Sequence, residues 1–121
     1  MLNQTIVVGR IVSDPEVVEL ENGKQVSNLT LAVQRPYKNI AGEYDTDFLP
    51  CVLWEGVAVT TSKYCQKGDL IGVRGRLQTS HDKDGKLEVS VIAEKVSFLS
   101  SKKTMDETDV NMEDYEENIP I

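Results

Sequence analysis

Val26-Ser27-Asn28-Leu29-Thr30-Leu31-Ala32-Val33-Gln34-Arg35 alternates with a period of two. Leu29, Leu31 and Val33 fall on one side, and Asn28, Thr30 and Gln34 on the other. That is the pattern of a strand with one face in a core. The same period recurs on both sides of this stretch. Thr5 to Ser13 is β-branched and apolar, interrupted by Gly9, and Asp14-Pro15 turns the chain after it. Glu21-Asn22-Gly23-Lys24 carries the Asn-Gly pair that marks a hairpin. Pro36 to about Thr46 reads as a loop, with Ala41-Gly42-Glu43 at its tip. Asp47 to Glu55 reads as the next strand, and Pro50 inside it suggests an edge or a bulge.

Gly56 to Lys67 is the one plausible helix. Val57, Thr61, Tyr64 and Cys65 would form a face, and Gly68 suits the position just past a helix end. Asp69 to Ser80 is a long strand with Ile71, Val73 and Leu77 inward and Arg74, Arg76 and Gln78 outward. Its Gly72 and Gly75 fit barrel curvature better than a nucleotide loop. His81-Asp82-Lys83-Asp84-Gly85-Lys86 is a charged hairpin loop, and Leu87 to Leu99 is the last strand. The expected fold is all-β: a five-stranded antiparallel barrel with one short helix between the third and fourth strands.

The 121 residues fit one domain, residues 1–100, followed by an arm, residues 101–121. The chain carries 13 basic and 20 acidic side chains and a formal charge of −7. Seven of those acids lie after Thr104, where no Lys or Arg occurs. Residues 1–103 are therefore neutral overall, and the acidity belongs to the arm. A bulk pI of about 4.7 does not exclude a nucleic-acid partner once the charge is divided this way. The two cysteines, Cys51 and Cys65, fit no metal spacing. Met1-Leu2-Asn3-Gln4 opens no signal peptide, and no apolar run is long enough for a membrane span. A soluble, cytoplasmic, nucleoid-associated protein is expected, with reduced thiols and no cofactor or metal.

Enzymatic chemistry finds little support. His81 is the only histidine and falls in a hydrophilic loop, where solvent exposure is its ordinary state. The carboxylates cluster in the arm, where nothing holds a pair in register. No phosphate-binding glycine motif is present. A nuclease would need a carboxylate constellation that the chain does not display.

The aromatics are more informative. Leu49, Cys51 and Leu53 form the core side of their strand, which turns Phe48, Pro50, Val52 and Trp54 outward. Tyr37 stands beside Arg35 and Lys38 at the start of the preceding loop. Packing in a core is the ordinary role of an aromatic, and solvation that of a strand arginine. Outward aromatics on one strand with outward arginines on another make a different surface. Rings stack on bases and cations meet phosphates, as single-stranded nucleic acid requires. A barrel using these rings to hold a protein or a structured RNA is the alternative.

Several segments resemble bacterial single-stranded DNA-binding proteins. They are Asn3-Gln4-Thr5-Ile6-Val7-Val8-Gly9-Arg10, Asp14-Pro15-Glu16, Leu29-Thr30-Leu31-Ala32-Val33, Thr46-Asp47-Phe48, Cys51-Val52-Leu53-Trp54, Tyr64-Cys65-Gln66-Lys67-Gly68 and Val73-Arg74-Gly75-Arg76-Leu77-Gln78-Thr79. Each is weak alone, and their order and spacing make the match specific. The resemblance implies an OB barrel, stacking aromatics at Tyr37, Phe48 and Trp54, and a homotetramer wrapped by single strands. It also implies work in replication, recombination and repair. Arg35, Lys38, Arg74 and Arg76 are the cations expected to serve the same DNA. Two departures point to lower affinity or a smaller site. Ser80-His81-Asp82 stands where a further stacking aromatic is usual, and Glu55 stands where a basic residue is common.

The arm closes on Met112-Glu113-Asp114-Tyr115-Glu116-Glu117-Asn118-Ile119-Pro120-Ile121. A disordered solubilising tail accounts for its acids but not for its apolar end. The resemblance implies a docking peptide for partner enzymes. Asp114, Glu116 and Glu117 would meet a basic rim, and Ile119, Pro120 and Ile121 an apolar pocket. The family commonly closes on Phe, so Ile121 should dock more weakly or in altered pockets. The acids are also expected to compete for the DNA groove when it is empty.

Overall fold

The computed structural model describes residues 1–100. Asp114, Glu116, Glu117, Ile119, Pro120 and Ile121 lie outside the described residues. The elements in chain order are β1 (Thr5–Ile11), β2 (Val18–Glu19), β3 (Gln25–Lys38), β4 (Tyr44–Trp54), α1 (Glu55–Tyr64), β5 (Leu70–His81) and β6 (Leu87–Ser100). The sheet order is β1-β5-β6-β4-β3-β2, and β1 also pairs with β3 at Arg10↔Ala32 and Ile11↔Leu31. That pairing closes the five long strands into an OB barrel. β2 is a two-residue ribbon on β3 that the sequence pattern does not reveal.

The strand pairs are antiparallel with one exception to the expected pattern. β4 and β6 pair in parallel at Cys51↔Val91 and Val52↔Ile92. Between them lie α1 and β5, the crossover that a parallel contact requires. Pro50 falls one residue before this contact, at its edge, where a missing N–H costs no ladder bond to β6.

The core follows the alternation. Leu29 and Leu31 of β3, Cys51 and Leu53 of β4, and Ile71 and Val73 of β5 are buried with Ile11, Val91 and Ala93. Leu31, Leu53, Ile71 and Val73 are fully enclosed. Each buried aliphatic side chain contributes about 1.5–3 kcal/mol relative to exposure. Leu77 does not join them: it is 48% exposed. Beyond Gly75 the β5–β6 hairpin leaves the barrel as a ribbon, so inward alternation there has no core to face. At the point of departure β6 makes a bulge opposite Arg74 and Gly75. It presses so close that a Cβ on residue 75 would overlap the carbonyl oxygen of Ile92. Gly72 meets only ordinary contacts.

The helix is shorter than expected, ending at Tyr64 rather than Lys67. Ala58 and Thr61 are its buried residues, while Tyr64 is exposed and touches Phe98, ring centroids 6.1 Å apart. The N–H of Cys65 caps the helix on the Thr61 carbonyl. Gly68 has another task, three residues beyond that cap. With φ of +92° its N–H donates to the Ile11 carbonyl at 2.8 Å. The Lys67 N–H donates to Asp14 Oδ1 at 2.7 Å, and the Gln66 N–H to Asp69 Oδ2 at 2.9 Å. These bonds join the segment after α1 to the end of β1. Asn3 does similar work at the other end, where its amide exchanges two 2.9 Å bonds with the Leu77 backbone.

The segment from Pro36 to Thr46 is largely strand. β3 runs to Lys38 and β4 begins at Tyr44, leaving Asn39–Glu43 as the turn. In this turn the Gly42 N–H donates to Asn39 O at 3.0 Å, and the Asn39 N–H to Glu43 O at 2.7 Å. The same two bonds recur at Leu20–Lys24 and Asp82–Lys86, with a positive-φ glycine in each. One turn geometry therefore closes all three hairpins.

Candidate nucleic-acid interface

Strand register decides which side chains share the outer surface. Residues directly opposite one another project to the same face. Asn28 of β3 faces Val52 of β4, Val52 faces Ile92 of β6, and Ile92 faces Arg76 of β5. One outward row thus crosses four strands. Arg76 lies two strands from Val52, roughly 10 Å along the sheet. Ile92 is buried yet stands apart from the barrel core, as the floor of this face.

Phe48 and Trp54 lie on the same face of β4 as Val52. Phe48 is 63% exposed and Trp54 37%. Six residues of strand separate their backbones by roughly 20 Å. Between β3–β4 and the projecting β5–β6 ribbon runs a groove of about 470 Å³. Asn28, Pro50 and Val52 line one wall, and Ser80, Glu88, Val89 and Ser90 the other. The wall supplied by the ribbon holds two hydroxyls, one carboxylate and the exposed Val89, and His81 is exposed on the same ribbon.

Tyr37 is exposed and lies in a bulge: Gln34 pairs with Thr46 and Lys38 with Tyr44, so three residues of β3 oppose one of β4. Arg35 sits in this bulge with its charge already engaged. Nε donates to Asp47 Oδ2 at 3.0 Å and Nη2 to Asp47 Oδ1 at 2.9 Å, with Asp45 Oδ2 3.7 Å from Nη1. Asp45 and Asp47 alternate with Tyr44, Thr46 and Phe48. The structure therefore brings Arg35 to the other side of the ribbon from the aromatic row. The hydrogen bond and charge of Arg35 hold the Asp47 carboxyl below its ordinary range.

Lys38 Nζ stands 5.8 Å from the centroid of the Tyr44 ring. Arg76 is exposed, and its Nη1 donates to Gln78 Oε1 at 2.8 Å, which engages only part of the donor capacity of the guanidinium. Arg74 is exposed on the same face of β5, opposite Lys95 of β6. Glu55 has a backbone role: with φ of +52° it begins α1, and its Oε1 accepts the Gln25 N–H at 3.0 Å. The site therefore gathers Phe48, Trp54, Arg74 and Arg76 on one curved face, with Tyr37 and Lys38 on the adjoining β3–β4 arm, the ribbon that runs out to the Asn39–Glu43 turn.

Tyr44 was not among the residues the sequence singled out. It is 47% exposed and shares the outward alternation of Phe48 and Trp54. The signal is that positions 44, 48 and 54 differ by even numbers of residues and so share one strand face, and it becomes readable only when β4 is extended back to Tyr44. Among the described residues no group of three or more His, Cys, Asp or Glu could hold a metal ion. No described helix is long and apolar enough to cross a membrane.

An OB barrel bearing exposed rings and arginines along one outer sheet face defines the class of fold and site. The sequence model of the single-strand binding protein family matches residues 2–99. The chain belongs to that family. It is 42% identical over 106 residues to single-stranded DNA-binding protein B of Bacillus subtilis, covering 84% of this chain and 94% of that one. It is 40% identical over 119 residues to a single-stranded DNA-binding protein of Halalkalibacterium halodurans, covering 95% and 71%. A Staphylococcus aureus single-stranded DNA-binding protein 1 is 41% identical over 110 residues, covering 88% and 70%.

Proposed function

We propose that this chain binds single-stranded DNA without reading its sequence, and does so without catalysis. The observation that carries this is the outward row itself: exposed Phe48 and Trp54 on β4, continuous through Val52 and Ile92 with Arg76 on β5. Stacking accepts any base because every base has a π-face, and arginines hold the backbone between rings. Tyr37 and Lys38 extend the track along the β3–β4 arm. Arg74 supplies a second cation on β5. Arg35 acts on the DNA indirectly, by neutralising the two carboxylates beside it.

Family membership supports a setting in replication, recombination and repair inside the cell, and a homotetramer around which the strand wraps. Residues 1–100 form the binding domain in this reading and residues 101–121 a separate arm. The acid-rich stretch from Asp114 to Ile121 suits docking of partner enzymes with a basic rim around an apolar pocket. Removing residues 113–121 should abolish capture of such partners and leave DNA binding intact.

Trp54 is the only tryptophan, so its fluorescence reports the site directly. Oligo(dT) should quench it, and added salt should restore it as counterions return to the DNA. An unchanged emission, with no retarded band at low salt, would refute DNA binding and favour a protein- or RNA-binding barrel.

A further inference from the structure

The aromatic track does not stop at Phe48. β4 runs without interruption from Tyr44 to Trp54, and the extra residues of the neighbouring bulge all belong to β3. Tyr44 therefore keeps the alternation of Phe48 and Trp54 and projects to the same side. Its backbone lies roughly 13 Å beyond Phe48 along the strand. The ring is nearly half exposed, although no core demands an aromatic at that place. Lys38, its partner across the ladder, sets a cation 5.8 Å from the ring centroid. A cation over one face leaves the other face for a base, and keeps a positive charge within reach of the neighbouring phosphate.

The adjacent acids would ordinarily repel that phosphate. Asp47 and Asp45 are instead paired with Arg35, and Asp45 Oδ1 also accepts from Asn39 Nδ2 at 3.1 Å. Both carboxylates alternate with Tyr44 and so lie on the opposite side of the ribbon.

We infer that Tyr44 is a further base-stacking residue, oriented by Lys38, which carries the DNA track onto the tip of the β3–β4 arm. This rests on the DNA-binding reading of the Phe48–Trp54 face.

The test uses the full chain and dT oligomers of graded length. Tyr44→Ala should weaken binding of long dT about 5- to 150-fold, the loss of one stacked base. Tyr44→Phe, which keeps the π-face, should stay within about twofold of the parent. A reporter carrying Trp54→Phe and Tyr44→Trp should be quenched by long dT. If the parent chain binds dT, and Tyr44→Ala binds equally well with the reporter silent, Tyr44 is no platform. If the parent itself does not bind dT, the DNA-binding reading falls and this inference falls with it.

Discussion

Arg35 and Asp47 meet across the β3–β4 ribbon through three hydrogen bonds of 2.9–3.2 Å between one guanidinium and one carboxylate. Two-point pairing of this kind fixes orientation as well as charge. It stands where three residues of β3 bulge against one of β4, so it fastens the part of the arm that the ladder leaves open.

The pair gives the arm an acid-sensitive fastening. The Asp47 carboxyl is held below its ordinary range, so the fastening is complete above that range. It is lost as pH falls through the lowered folded value, while the Arg35 guanidinium stays charged throughout. In a carbon-detected titration, Asp47 should ionise at lower pH than an aspartate in an unfolded peptide. Arg35→Gln should move it back up. Exposure of both groups keeps the effect on global stability small. The expected change lies in arm mobility, read as faster amide exchange at Lys38 and Tyr44.

Gly75→Ala should destabilise the barrel. The new methyl meets backbone, the Ile92 carbonyl on the β6 bulge, which cannot rotate aside. Overpacking of this sort costs about 1–3 kcal/mol. Urea denaturation should show a lower midpoint with an unchanged slope. Gly72→Ala, whose Cβ finds ordinary contacts, should cost less.

Trp54→Ala and Phe48→Ala should each weaken single-stranded DNA by about 5- to 150-fold, corresponding to about 1–3 kcal/mol of stacking. The loss should be similar for dT and mixed-sequence oligomers, because stacking accepts any base. Arg76→Ala should lower the slope of log affinity against log salt by about one counterion, a signature that ring removal lacks. Gel-shift titrations at several salt concentrations measure both.

The thiols should be inert in the folded protein. Cys51 and Cys65 are buried, and burial pushes each up to about 11, with Asp69 adding to the shift at Cys65. At pH 8 only a small fraction of either is the reactive thiolate. A disulfide reagent such as DTNB should react slowly with native protein and fully in denaturant. Rapid native reaction would show that the barrel opens around β4 or the end of α1.

Much of this arrangement is legible in the residues. The alternation of Leu29, Leu31, Leu49, Cys51 and Leu53 sets which faces of β3 and β4 are buried, and hence that Phe48 and Trp54 are exposed. Gly42 and Gly85, like Gly23, mark the hairpin turns. These are local features: strand period and turn conformation depend on residues a few positions apart. Leu77 shows the limit. Its place in the alternation points inward, but whether a core exists there depends on where β5 and β6 leave the barrel.

The rest was decided across the chain. Arg35 looks like a free cation until Asp47 is set opposite it. Glu55 looks like an unfavourable charge until its carboxylate is found on the Gln25 N–H. Tyr44 looks like a loop residue until β4 is seen to begin there. Sequence alone marked most of the strand segments, the buried faces of β3 and β4, and two of the exposed rings, because each is written in short-range periodicity. Only the tertiary structure joined Val52, Ile92 and Arg76 into one surface, through the parallel β4–β6 contact between residues about forty positions apart. Register between distant strands is a cooperative outcome of barrel closure, and no single stretch of the chain carries it.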